Sequence, residues 1–320
     1  MNQFTGWIPP DQRTKEQTEI DEQIKSEMIP AFGDVGPKAK PIGEGDEFCL
    51  YKAFGGEQIP YAWQSTGSCV RAGGHGAIIT TNKVEIVAGE AEVFHEFFTL
   101  FSYEVSRWLA GFKKKGDGSF GSTFFKAIVD WGMPRSDHPG LPQPQTRQGW
   151  RYFPDSVELD WSFNPTYRAE WRDEAAEHKI VPVKSFARIR SIEELDAALT
   201  NGYCCTYASM YGTKTIREKD GLMVAKRDAE WAHQRFIDAV KKTNGNKYYR
   251  VPNSWGPDAH PEPTDDSPPG GFYQTEKEMA DDLRDSDTEV FAISNVQGVP
   301  ARPDLFWALM DAWWKQMMGA

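Results

Sequence analysis

Helical patterns come before strand patterns along this 320-residue sequence, the element order of an α+β fold. Three observations carry that reading. Apolar residues recur at helical spacing between Cys69 and Trp131. Short strand-like runs bounded by Gly, Asn and Pro recur from Ile180 onward. Ahead of the first strong helix, a polar turn with one glycine, Gln64-Ser65-Thr66-Gly67-Ser68-Cys69, delivers a single cysteine to a helix start.

In chain order, residues 14–28 read as a polar helix whose narrow stripe, Ile20, Ile24 and Met28, suits a surface rather than a core. Residues 29–60, rich in Gly, Pro and Lys, read mainly as loop. A central helix is expected from Cys69 to about Thr80. Gly73, Gly74 and Gly76 inside it imply close packing against backbone or an irregular first turn, since each costs about 1 kcal/mol relative to Ala. Residues 91–112 form a broad apolar helical pattern, and Phe124 to Trp131 a short helix stopped by Gly132 and Pro134. The proline-rich stretch 134–165 reads as a long irregular segment with Trp150, Tyr152, Phe153 and Trp161, placed to shape a cleft or meet a partner. Arg168 to His178 reads as a charged helix and Ile180 to Ile189 as a strand. Ser191 to Glu194 fits a capping box opening a helix that stops at Asn201-Gly202. Tyr203 to Tyr211, Arg235 to Val240, Lys247 to Val251 and Val290 to Ser294 read as strands. Pro303 to Met318 reads as an apolar helix through Leu305, Phe306, Leu309, Trp313 and Trp314, which either folds back on its own domain or docks in a partner protein.

Composition narrows the function. A net charge of -11 argues against non-specific nucleic-acid binding, which needs a basic face. No apolar run approaches a membrane span, and the segment after Met1 lacks the basic-then-apolar pattern of a secretory signal. Cys49, Cys69, Cys204 and Cys205 show neither a disulfide framework nor ligand spacing, so a reducing compartment and no metal or other cofactor are expected. His95-Glu96 continues as Phe97-Phe98, so a metalloprotease pair is absent.

The chemistry gathers at three places. Cys69 at a helix N-terminus suits a nucleophile, because unpaired N–H groups and the dipole favour thiolate. A thiol needs a base, and the base needs a third group to fix its tautomer and ring plane. His233 and Asn253 supply these types, expected on adjacent strands joined by the turn Thr243-Asn244-Gly245-Asn246.

With Gln64 before Gly67-Ser68-Cys69, a lone His before a strand and Asn253-Ser254-Trp255-Gly256, the chain resembles the papain family of cysteine peptidases over residues 55–295. The segment from Phe101 through Gly116-Asp117-Gly118 to Gly132-Met133-Pro134 looks like its counterpart in bacterial and viral members. Two departures stand out: Thr66 where the family commonly has a cysteine, and Val70 where an aromatic residue follows the nucleophile. The resemblance implies a two-lobed fold, with an N-terminal arm (1–45), a helical lobe (about 64–135), a β lobe (about 180–295) and a C-terminal helix (301–320). Family zymogens carry a longer inhibitory leader than this arm. The resemblance also implies roles: Cys69 attacks, His233 moves the proton, Asn253 orients the ring, and Trp255 covers that hydrogen bond. Gln64 and the Cys69 N–H would hold the oxyanion, Gly67, Ser68 and Trp255 would face substrate, and the loops 134–165 and 257–271 would build the subsites.

Two readings follow. One is a peptidase acting on peptide or protein substrates. The other is a catalytically silent papain-like structural or interaction protein, such as a phage virion component, which fits the glycines after Cys69 and the apolar C-terminal helix. The expected location is accordingly the cytoplasm or a virion.

Overall fold

A computed structural model describes residues 6–28, 32–90, 96–177, 183–294 and 298–302. The elements run in order: α1 (Lys15–Met28), α2 (Phe32–Val35), β1 (Glu47–Cys49), β2 (Ala62–Trp63), α3 (Cys69–Val87), α4 (Thr99–Leu109), α5 (Gly121–Trp131), β3 (Gln145–Arg147), β4 (Trp150–Tyr152), α6 (Asp155–Trp161), α7 (Pro165–Glu177), β5 (Ser185–Ile189), α8 (Ile192–Thr200), β6 (Cys205–Gly212), β7 (Thr215–Lys219), β8 (Leu222–Lys226), β9 (Ala229–Ile237), β10 (Ala239–Thr243), β11 (Asn246–Pro252), β12 (Gly271–Thr275), α9 (Glu276–Arg284) and β13 (Glu289–Ser294). The fold is α+β and papain-like: helices α3, α4 and α5 on one side, largely antiparallel sheets on the other.

The strands form a sheet ordered β1-β10-β11-β12-β8-β7, a second ordered β5-β13-β6-β9 and a small one ordered β2-β4-β3. The ribbon read as one strand from Arg235 to Val240 turns at the buried Asp238 and serves both larger sheets. The Asp238 carboxylate is held by Arg250 at 2.5 Å and Tyr61 at 3.0 Å, so the corner is fixed by a buried ion pair. Only the second half of the ribbon pairs with β11. The expected turn closes that hairpin, with Asn244 and Gly245 both at positive φ, the conformation a two-residue hairpin turn demands. His233 and Asn253 therefore do not sit on paired neighbouring strands. They meet across the corner between the sheets.

Other boundaries move for physical reasons. The central helix continues to Val87, since its apolar pattern continues through Val84. The second helix starts at Thr99. Phe97 pairs with Arg135 as an isolated bridge and the Phe98 N–H donates to the Pro134 carbonyl, so these two rings are buried from extended backbone. Residues 29–60, read as loop, hold β1 at a sheet edge, because Phe48, Cys49, Leu50 and Tyr51 are core residues amid polar neighbours. The stretch 134–165 is built rather than irregular, with β3, β4 and α6. The β7–β8 hairpin and α9 escaped the sequence reading. Ser191 caps α8 as expected, its hydroxyl accepting from the Glu194 N–H at 3.2 Å. The apolar C-terminal stretch, including Leu305, Phe306, Leu309, Trp313 and Trp314, lies outside the described residues. Arg302, just before it, is tied to Glu85 and Glu90, both at 2.7 Å.

Helix α3 is the spine. It lies against β9, and the three puzzling glycines sit on its packed faces. A Cβ on Gly73 would stand 2.9 Å from the Arg235 carbonyl oxygen, and one on Gly74 or Gly76 would run into the rings of Phe124 or Phe236. They are close-approach positions, where the helical cost of glycine is offset by contact with backbone at Gly73 and with aromatic rings at Gly74 and Gly76. Among the described residues, no helix is long and apolar enough to cross a membrane. All four cysteines are buried free thiols.

Candidate active site

Cys69 is the first residue of α3, fully buried where the helix meets β9. The backbone N–H of Gln234, next to His233, points at its sulfur at 3.4 Å. His233 is fully buried on β9, and its Nε2 lies 2.7 Å from Asn253 Oδ1. Asn253 follows directly after β11 and is anchored by its own N–H to the Gly270 carbonyl at 3.0 Å. The Trp255 indole stacks on the His233 ring, centroids 4.7 Å apart and 20° from parallel, and the edge of Trp231 meets Trp255. The indole thus shields the imidazole–carboxamide bond from water, which strengthens it. The remaining ring nitrogen, His233 Nδ1, is buried and carries no hydrogen bond.

The electrostatics depart from the expectation for a helix N-terminus. Burial pushes the Cys69 thiol up to about 11, against the pull of backbone N–H groups from Gln234, Gly6 and Trp7. Burial, with the Arg235 guanidinium second, drives His233 down to about 3, although its bond to Asn253 favours the charged form. Desolvation outweighs the dipole here because nothing at the thiol is open to water. The resting pair is neutral thiol and neutral imidazole.

What closes the site is the chain's own N-terminal segment. The Ser119 N–H donates to the Gly6 carbonyl at 2.9 Å, and the Ile8 N–H donates to the Ser119 carbonyl at 3.2 Å, so Trp7 makes an isolated parallel bridge to Ser119 and Gly6–Ile8 lies beside the nucleophile. Gly6 packs on the Gly67 carbonyl so tightly that a methyl group there would overlap it. Buried Trp7 donates its indole N–H to Glu289 at 3.0 Å. Behind it Arg13 pairs with Asp21 at 2.5 Å and Glu289 at 2.8 Å, and Lys25 with Glu289 at 2.5 Å. Burial alone would push the Glu289 carboxyl up, yet Arg13 and Lys25 hold it down at about 2.

The other predicted residues fall nearby with different partners. Gln64 is buried, its amide N–H donating to the Thr66 carbonyl at 2.9 Å and its Oε1 accepting from the Ser254 hydroxyl at 2.5 Å. The Gly67 carbonyl accepts from the Gly118 N–H at 3.1 Å and the Tyr103 hydroxyl at 3.2 Å. Ser68, expected to face substrate, turns its hydroxyl inward to Glu158 at 2.9 Å.

Sequence reasoning missed Glu158, Arg235 and His260. Glu158, on α6 and fully buried, accepts from the Ser65 and Thr66 N–H groups at 3.2 and 3.0 Å and from the Thr66 hydroxyl at 2.8 Å, and pairs with Arg71. The loop that lacks the customary cysteine at Thr66 is thus held by a carboxylate. Only the acid–basic pairing of Glu158 and Arg71 could have hinted at this, and 86 intervening residues concealed it. Among the described residues no cluster of His, Cys, Asp and Glu could hold a metal ion.

No family model and no curated protein matches the chain. Solved structures do. One is xylellain, a cysteine protease from Xylella fastidiosa, with 15% identity, TM-score 0.56, and 92% of this chain and 97% of that one covered. Another is procathepsin B S9 from Trypanosoma congolense, with 12% identity, TM-score 0.50, and 94% and 87% covered. At such identities the shared property is the fold.

Proposed function

We propose that this chain is a papain-like cysteine peptidase that hydrolyses peptide bonds through a thioester at Cys69. The observation that carries the reading is the 2.7 Å bond from His233 to Asn253 under the Trp255 indole, with the neighbouring N–H of Gln234 on the Cys69 sulfur. A thiol, an imidazole and a carboxamide drawn from residues 69, 233 and 253 are the parts that nucleophilic acyl transfer needs.

In this mechanism the Cys69 proton passes to His233 Nδ1, and the thiolate attacks the substrate carbonyl carbon. As the C–N bond breaks, the imidazolium returns that proton to the leaving amine. Water then attacks the thioester, His233 takes one of its protons, and the C–S bond breaks to free the acid and restore the thiol. The Cys69 N–H is one oxyanion donor and the Gln64 amide the other once it gives up its bond to the Thr66 carbonyl, and loss of one such donor costs about 100- to 1000-fold in kcat. In the closed form Gly6–Ile8 occupies the path to the sulfur, so turnover requires this segment to leave. Its departure admits water. That lowers the thiol pKa and raises the imidazole pKa, moving both toward the reactive ion pair.

Cys69→Ala is expected to abolish hydrolysis of a fluorogenic peptide library while leaving the Tm within about 2 °C, and Asn253→Ala to slow it by at least tenfold. Turnover that persists in Cys69→Ala overturns the assignment. The silent reading gains little support: the similar solved structures named above are a protease and a procathepsin, not virion components.

A further inference from the structure

The row of site residues does not end at Asn253. Its Nδ2 lies 2.9 Å from Nε2 of His260, which sits in the loop after the short 3-10 turn Pro257–Ala259. The proton positions on this row follow from one fixed donor. The backbone N–H of Ser254 can only donate, and it meets Asn253 Oδ1 at 2.7 Å. That atom is therefore the acceptor. His233 Nε2, 2.7 Å from the same oxygen, must carry a proton, which leaves the lone pair of His233 on Nδ1, the nitrogen required to take the thiol proton. Asn253 Nδ2 must in turn donate, so His260 Nε2 accepts, and His260 is a neutral ring with its proton on Nδ1.

We propose that His260 is a positioning residue: a neutral imidazole that, by accepting from Asn253, holds the carboxamide plane and so fixes the tautomer of His233. The proposal rests on the peptidase reading above for its catalytic consequence, though not for the proton arrangement itself. A protonated His260 would turn an N–H toward the two hydrogens of Asn253 Nδ2. The amide would have to rotate away, and His233 would lose its acceptor. The surroundings oppose that protonation. From β9 the charged and titratable groups facing His260 are Arg235 and, through Asn253, His233. From β12 it meets the edge of Phe272 at 5.1 Å, and from its own loop the tilted Trp255 indole at 6.4 Å. Burial first, then the Arg235 cation, lowers the ring to about 4, so it stays an acceptor through neutral pH. This also gives a use to Arg235, a fully buried cation on the same strand as His233.

Nitrogen-15 NMR of the imidazole rings in the full-length protein tests this without any assay of turnover. At pH 7 the expected result is a pyridine-type Nε2 and a pyrrole-type Nδ1 for His260, and the reverse for His233. A pyrrole-type Nε2 on His260 overturns the proposal outright, whatever the catalytic activity. On lowering the pH, protonation of His260 should shift the His233 Nε2–H resonance in the same step. That step should be absent in His260→Gln, whose amide oxygen accepts at every pH. A His233 resonance indifferent to His260 titration also overturns the proposal. In kinetics, His260→Ala should lower kcat about tenfold with KM unchanged, the loss expected when one orienting hydrogen bond goes, and His260→Gln should restore it. If the parent hydrolyses nothing, the peptidase reading fails while the NMR result still decides the proton arrangement.

Discussion

Glu158 places four polar contacts on the loop before Cys69 and one on Arg71 of α3, a loop that must hold its shape if a thiol is to be aimed. One carboxylate receives two backbone N–H groups and two hydroxyls and neutralises Arg71, all inside the protein. Its removal strands a buried cation and orphans the loop donors together. Glu158→Ala is therefore expected to destabilise the protein by about 3–5 kcal/mol, read as a lower urea midpoint at unchanged slope. A loss below about 1 kcal/mol would show that water replaces the carboxylate and that the loop does not depend on it. The same residue-level logic separates the four cysteines. Cys204 donates to the Ile237 carbonyl at 3.1 Å and Cys205 to the Tyr203 carbonyl at 3.6 Å, contacts of structural thiols, whereas Cys69 alone receives N–H groups from both the arm and β9.

Among elements, the N-terminal segment has the largest effect on the site. Its hold on the cleft is local: strand-like bonds to Ser119, the Trp7 indole on Glu289, and the Arg13–Asp21–Glu289–Lys25 cluster that roots α1. The tightest point is Gly6 on Gly67, where backbone faces backbone and no side chain can swing away. Gly6→Ala is expected to lift the first turn of the arm and raise the iodoacetamide alkylation rate of Cys69 at least tenfold, followed by mass spectrometry, with Cys49, Cys204 and Cys205 unchanged. An unaltered Cys69 rate would mean that the arm does not govern access. The 14–28 helix is legible from its narrow stripe, and Ile24 on that stripe is buried. The residues before it carry no periodicity, so their place over the sulfur could not be read.

At the scale of the whole molecule, the proposed peptidase chemistry would depend on how closely α3 approaches β9, because the sulfur belongs to one and the imidazole to the other. Gly73 sets that spacing: an added Cβ would stand 2.9 Å from the Arg235 carbonyl oxygen and 3.0 Å from that of Gln234. Gly73→Ala should therefore move the helix off the sheet, costing about 1–3 kcal/mol by overpacking. A displacement near 1 Å should also cut kcat about 100-fold. Thermal unfolding and peptide hydrolysis measure the two effects, and a variant with full activity would show that the interface absorbs a methyl group without moving the thiol.

The sequence by itself determined the helix that begins at Cys69, the Asn244-Gly245 hairpin turn and the capped helix at Ser191, because these rest on periodicity and local backbone preference. It also singled out Cys69, His233 and Asn253, since their residue types and the motif after Asn253 survive without knowledge of contacts. Only tertiary structure decided that the ribbon bends at Asp238, so that the imidazole and the carboxamide meet across two sheets. Only it brought Glu158, Arg235, His260 and the Gly6–Trp7 backbone to the site. Contacts at the site join residues as far apart as Cys69 and Gln234, 165 positions, and a hydrogen bond between distant segments leaves no periodic trace in the chain that makes it.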